Sequence, residues 1–214
     1  MTKDKININQ TIWKIVQSDL AIQKDLARKI INMRALAKYI IKKHGFNFSL
    51  DGVISAIRRF EGQEDFKEDE QSLLNIFKES IVSTKNNVTC ITLSIGSKEF
   101  FSKMCSLTNH FNFRLAIGEN KVKIIVDSQD IEKTKKMFSQ DEVQKIEEGL
   151  SEINVKVSET ALQTKGVLAR MSTELALANI NISEVVICPP EFFIYLKQKD
   201  IVKAHDSILR LIQG

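Results

Sequence analysis

KGVLARMSTELALANINISEVVICPPEFFIYLKQKDIVKAHDSILRLI, residues 165–212, holds two changes of hydrophobic period, and they decide the fold. Val167, Leu168, Met171 and Leu175 recur at helical spacing, so residues 165–179 read as an amphipathic helix. INISEVVI (180–187) and FFIYLKQ (192–198) instead alternate or run apolar as strands do. Cys188-Pro189-Pro190-Glu191 between them has the composition of a turn. The period returns to 3.6 in IVKAHDSILRLI (201–212), a closing helix. Upstream, INVKVSE (153–159) alternates as a strand, so residues 151–214 carry the order β-α-β-β-α. Phe192, Phe193 and Tyr195 then read as core and sheet-face residues rather than as a stacking platform.

The preceding 64 residues repeat that order. VTCITLSIG (88–96) reads as a strand, and SKEFFSKMCSLTNH (97–110) as a helix with Phe100, Phe101, Met104 and Leu107 inward. FNFRLAIGENKVKIIVD (111–127) reads as a hairpin turning at Gly118-Glu119-Asn120-Lys121, followed by a helix IEKTKKMF and then another amphipathic stretch, DEVQKIEEGL (141–150). Two segments of equal length and equal element order, 87–150 and 151–214, predict an internal duplication. Units of this order form α+β layers, with helices on one face of an antiparallel sheet. The fourth strand that such a layer normally holds is visible in neither copy.

The N-terminal part has a different character. Residues 1–62 contain 12 Lys/Arg against 5 Asp/Glu, whereas residues 63–80 contain 2 against 6. Such asymmetry suits a basic domain with a polyanionic partner, or a helical domain kept soluble by lysines, followed by an acidic hinge. Four helices are predicted: one capped by Thr11 with Ile12, Ile15 and Val16 inward, and one using Leu26, Ala27, Ile30 and Ile31. The third runs from about Met33 to His44 and stops at Gly45; the fourth is capped by Ser49, with Val53, Ile54, Ile57 and Phe60 inward. A connecting helix through Leu73, Leu74, Ile76 and Phe77 completes the segment 63–86.

Several kinds of chemistry have no motif here. His44, His110 and His205 lie far apart, without a carboxylate or cysteine at ligand spacing, and His44 is explained by the favourable dipole at a helix C-terminus. No nucleophile elbow, zinc-protease helix, dinucleotide fingerprint or phosphate loop occurs. The acidic run Glu64-Asp65 and Glu68-Asp69-Glu70 reads as solvated hinge charge. These observations predict a non-enzyme without metal or cofactor. Cys90, Cys105 and Cys188 are odd in number and widely spaced, every apolar run is too short to cross a membrane, and the opening MTKDKININQ has no secretory core. The expected location is the cytoplasm.

Gly166 ahead of a helix allows a close backbone approach, and the helix start offers unpaired N–H groups and a positive dipole end that suit a carboxylate. In this stretch, residues 151–214 resemble the ACT domains of amino-acid-sensing regulators, most of all the regulatory half of aspartokinases. The features that match are Gly166 opening the helix, Asn181-Ile182 beginning the next strand, and the Asp200-initiated last helix. Residues 87–150 resemble a divergent second copy, with Ser97-Lys98-Glu99 in place of the glycine loop. The resemblance implies an α+β fold of two ferredoxin-like βαββα domains. It also implies an amino-acid effector held by Gln163, Thr164, Lys165, Gly166, Val167, Leu168, Asn181 and Ile182, and pairing into a homodimer or higher oligomer. Residues 34–60 resemble a small helix-turn-helix domain, which implies DNA contacts through Lys38, Lys42, Lys43, Ser49, Ser55, Arg58 and Arg59. A helical bundle used for dimerisation is the other reading of this segment. Two functions follow: a transcriptional regulator that senses an amino acid, or a regulatory subunit docking on an amino-acid biosynthetic enzyme without DNA.

Overall fold

A computed structural model describes residues 7–60, 63–94 and 112–213 of the chain. It divides into two compact units, with the boundary between Ser72 and Leu73.

The first unit contains α1 (Ile8–Gln17), α2 (Leu20–Ala27), α3 (Met33–His44) and α4 (Leu50–Arg58). Each begins at a polar residue whose side chain accepts a first-turn N–H: Asn7, Asp19, Asn32 and Ser49. The first helix is therefore capped four residues before Thr11, because Asn7 already satisfies the N–H groups of Asn9 and Gln10. The second helix ends at Ala27, short of Ile30, which lies 69% exposed after Lys29 takes a positive φ of 58°. Gly45 ends α3 in the left-handed conformation, φ 65°, as its position suggests. Ile12, Val16, Leu26, Leu36, Ile40, Val53, Ile57 and Phe60 form the core of this unit. Trp13 Nε1 donates to Ala56 O at 2.8 Å and ties α1 to α4.

α5 (Gln63–Lys78) leads toward the second unit and buries Ile76 and Phe77 in its core. Among the described residues the second unit has six strands: β1 (Ile81–Ser94), β2 (Arg114–Ile117), β3 (Lys121–Asp127), β4 (Val143–Lys156), β5 (Ile182–Cys188) and β6 (Glu191–Lys197). Its helices are α6 (Ile131–Lys135), α7 (Val167–Leu177) and α8 (Ile201–Gln213). The helix expected over 97–110, with Phe100, Phe101, Met104 and Leu107, lies outside the described residues.

The strand order is β2-β3-β1-β4-β6-β5, with every described pair antiparallel. β1 and β4 are each 14 residues long and supply the missing fourth strands. Val88–Ser94 of β1 pairs with β3 and with the first half of β4, whereas Ile81–Lys85 pairs with the second half of β4. The second half of β4 pairs in turn with β6. Each half-sheet thus has four strands, and each takes one of them from the far end of the other's long strand.

The amphipathic stretch DEVQKIEEGL belongs to this sheet. Val143–Leu150 is strand, because Ile146 and Val143 pack on the apolar cluster of Ile91, Leu93, Val122 and Ile124. Period-two burial against a neighbouring strand overrides a pattern that also fits a helix. The long strands bend where the two halves meet. Register shifts fall between Lys85 and Val88 and between Val88 and Cys90, beside Asn87 at φ 56° and Gly149 at φ 67°. Ser151 Oγ donates to Asn86 Oδ1 at 2.8 Å across this bend.

One face of the sheet carries the helices. Ile153, Val155, Phe192, Ile194 and Leu196 pack there on Val167, Met171 and Leu175 of α7, and on Ile201, Ala204, Ile208 and Leu211 of α8. Their spacings of three and four give each helix one apolar stripe. A Cβ on Gly149 meets nothing within 4 Å, so Gly149→Ala tests the backbone alone. We expect it to destabilise the protein by about 1–2 kcal/mol, the cost of left-handed φ for an L residue, read from the midpoint of urea denaturation.

Candidate functional site

The helix-free face of the sheet holds side chains that the strand register aligns: Cys90, Thr92, Lys121, Lys123 and Ile125 on β1 and β3, with Lys145, Glu147 and Leu150 on β4. Arg114 on β2 and Glu152, Tyr195, Phe193 and Glu184 on the other half share it. β3 and β5 are four strand spacings apart, roughly 19 Å on a flat sheet, yet Lys123 and Glu184 form an ion pair. Arg114 of β2 likewise reaches Glu152 of β4 at 3.2 Å and lies 3.9 Å from the ring centre of Phe193 on β6. The half-sheets are therefore folded toward each other about the bend in β1 and β4, with their helix-free faces inward.

Two polar groupings lie between them. In the first, Glu152, only 5% exposed, accepts from Tyr195 Oη at 2.6 Å and from Arg114 Nη2 at 3.2 Å. Burial and the Glu152 carboxylate hold the Tyr195 phenol far above its usual range, so it stays a donor. Val88, Cys90, Ile125, Leu150 and Phe193 surround this group with apolar surface. In the second, Glu147 accepts from both Lys145 and Lys197 at 2.8 Å, which lowers its carboxyl to about 2. Glu184 raises the Lys123 ammonium through their hydrogen bond. A cleft of about 310 Å³ opens beside this second group, with Cys90 and Leu150 among its walls. Burial pushes the Cys90 thiol up to about 11, so it is a neutral wall.

The residues expected to hold an effector lie on the other side of the fold's logic. Gly166 caps α7 at φ 89°, with no side-chain cap on the first-turn N–H groups of that helix. Gln163, Lys165 and Gly166 are exposed; Val167 is buried, and Leu168 packs on the core, leaving their backbone N–H groups as the available donors. Thr164 Oγ1 donates to Thr160 O at 3.2 Å. Asn181 is exposed and Ile182 half-buried at the opposite end of α7. Eleven helical residues separate the two ends, about 16 Å, so one chain does not close Gly166 and Asn181 around one small ligand. Ser97-Lys98-Glu99 of the first copy lies outside the described residues.

In the helical unit, Lys38, Lys42 and Lys43 of α3 and Ser55, Arg58 and Arg59 of or beside α4 are exposed. Ser55, Arg58 and Arg59 fall on one stripe, opposite Val53 and Ile57. Ser49 is exposed but committed as the cap, accepting from Gly52 N at 3.2 Å. Lys43 Nζ lies 5.2 Å from the Tyr39 ring centre. His44 stacks on Phe46, and Phe46 on Phe48, so that part of the inter-helix turn is an aromatic ladder rather than a ligand set. Sequence reasoning missed Arg114, Glu152 and Lys123. The one signal was a charge placed in each otherwise apolar strand, and it names no partner.

No protein-family model matches the sequence, and no curated protein sequence matches it. Solved structures do. The aspartate kinase of Clostridium acetobutylicum is 20% identical with a TM-score of 0.51, over 61% of this chain and 34% of that one. A putative C-terminal regulatory domain of aspartate kinase from Porphyromonas gingivalis W83 is 14% identical with a TM-score of 0.51, over 63% and 98%. The regulatory subunit of aspartate kinase from Thermus flavus is 10% identical with a TM-score of 0.51, over 61% and 95%. The chain spans about a third of the length of the Clostridium enzyme. At these identities the likeness is one of fold: the mixed helix and antiparallel-strand architecture is ACT-like.

Two consequences of the folded-over sheet are measurable. Glu152→Ala leaves the Tyr195 hydroxyl and the Arg114 guanidinium without their shared acceptor, and we expect a loss of about 3 kcal/mol in equilibrium denaturation. Glu147 has a depressed folded-state pKa, so its contribution is complete above about 4.5 and fades as pH falls toward about 2. Glu147→Gln should flatten the fall of melting temperature across that window, compared with the parent protein.

Proposed function

We propose that this protein is a non-catalytic amino-acid-sensing regulator whose second unit comprises two ACT domains. The supporting observation is the ACT-like fold together with Gly166 in a left-handed conformation before α7, where bare N–H groups suit an α-carboxylate. Gln163, Thr164, Lys165, Gly166, Val167 and Leu168 form one wall, their N–H groups receiving the carboxylate. Asn181 and Ile182 are the other wall, supplied by a second copy, since one helix length separates them within a chain. The strand edges at Ile81–Lys85 and at β5, unpaired among the described residues, offer backbone for such pairing.

The helical unit is then the output. We read it as a helix-turn-helix module, with Arg58, Arg59, Ser49 and Ser55 toward a duplex and Lys38, Lys42 and Lys43 on phosphates; the exposed basic stripe supports this. The gene-regulatory reading places the protein in the cytoplasm. A second reading, docking on an amino-acid biosynthetic enzyme, is favoured by the likeness to the separate regulatory subunit from Thermus flavus.

Thermal melting of the full chain against the twenty amino acids tests the sensor. An effector at 100 times its Kd stabilises by about 2.7 kcal/mol, and Gly166→Ala should abolish that shift. A Cβ there meets only Leu73 Cδ1, at 3.7 Å, so the folded variant remains testable after a cost in φ. No shift with any amino acid would remove the sensor reading. Arg58→Ala with Arg59→Ala should weaken duplex binding by the full chain and reduce its salt slope by about 0.9 for each lost phosphate contact. Absence of salt-dependent duplex binding in the parent protein leaves the docking reading.

A further inference from the structure

The cleft between the half-sheets has an unequal supply of cations and anions. Both of its carboxylates are occupied: Glu147 by Lys145 and Lys197, and Glu184 by Lys123. Its remaining polar side chains, Lys121, Thr92, Gln144 and Ser183, have no side-chain hydrogen bond or ion pair among the described residues. The hydroxyls and the amide both donate and accept, so charge decides: three lysines, Lys121, Lys123 and Lys145, face two carboxylates, and Lys121 is the cation left without an ion pair among the described residues. A polar recess whose carboxylates are already paired and which holds a further ammonium favours an anionic ligand. Beside those donors the wall is apolar, formed by Leu150 and the neutral Cys90 thiol. Its volume, about 310 Å³, lies at the small end of ligand-binding cavities.

We propose that this cleft binds a small carboxylate, with the oxygens on Lys121, Gln144, Thr92 and Ser183 and a short carbon chain against Leu150. The donors belong to both half-sheets, Thr92, Lys121 and Gln144 to one and Ser183 to the other. Occupancy therefore adds a bridge across the fold beside the Lys123–Glu184 pair, and it stabilises the folded-over arrangement. This site shares no residue with the loop at Gly166 and stands without the sensor reading.

Succinate is the probe, with sodium chloride at matched ionic strength as the control and the full chain as the sample. Succinate should raise the melting temperature saturably, and titration calorimetry should give one site per chain. Lys121→Ala with Gln144→Ala removes two exposed, unpartnered side chains, and it should weaken succinate at least tenfold with unchanged circular dichroism. Thr92→Val is the second variant should that pair fail to fold, with the same loss expected. Gly166→Ala should leave succinate affinity unchanged, which separates this cleft from the effector loop. The proposal is overturned by a chloride-like response to succinate, by equal affinity in the double variant, or by loss confined to Gly166→Ala.

Discussion

The second unit depends on the crossing of two fourteen-residue strands. β1 and β4 run antiparallel along their whole length, but the partners on their outer sides change at Asn86-Asn87 and Gly149. Each half-sheet is incomplete without the segment that continues from the other half, so neither half closes its core alone. Ile153 and Val155 serve one core and Ile146 and Val143 the other, on the same strand. A bend at the crossing is unavoidable, because a single straight strand cannot follow the twist of two sheets. The bulges and the two positive-φ residues supply it.

The bend also explains why charge is found on an inner face. Folding the helix-free faces together removes Glu152 and Tyr195 from water and leaves Arg114 part-buried, and each is retained because its partner comes from another strand. An isolated charge in that position would cost several kcal/mol. The grouping is specific to one geometry: sliding β2 by one residue turns Arg114 to the opposite face and leaves Glu152 with Tyr195 only. Such groups fix how the halves meet more than they add to stability. The more exposed Lys123–Glu184 and Lys197–Glu147 pairs line the accessible rim of the cleft.

Two kinds of surface thus coexist. At Gly166 the first-turn N–H groups of α7 have no side-chain cap, and the effector site proposed there needs another chain because α7 separates its two walls. In the cleft, side chains from both half-sheets already converge. Under either proposal a ligand that touches two bodies favours the state that holds them together.

Much was legible from order and period alone. The helices 167–177 and 201–213, the β5–β6 hairpin, the caps at Ser49 and Gly45 and the position of Gly166 all follow from local rules, because capping, turn composition and apolar spacing act within a few residues. Val143–Leu150 did not follow, since its periodicity suits a helix and only the neighbouring β1 makes it a strand. The origin of the fourth strands was equally hidden: Ile81–Lys85 pairs with residues some seventy positions away, and nothing local marks that register. Lys123 and Glu184, or Arg114 and Glu152, become partners only through the fold of the sheet. The sequence by itself determined which elements form and where their apolar faces lie. The tertiary structure alone decided which strands are shared and which charges meet, because long-range pairing is set by the burial of whole faces and not by any residue's own preference.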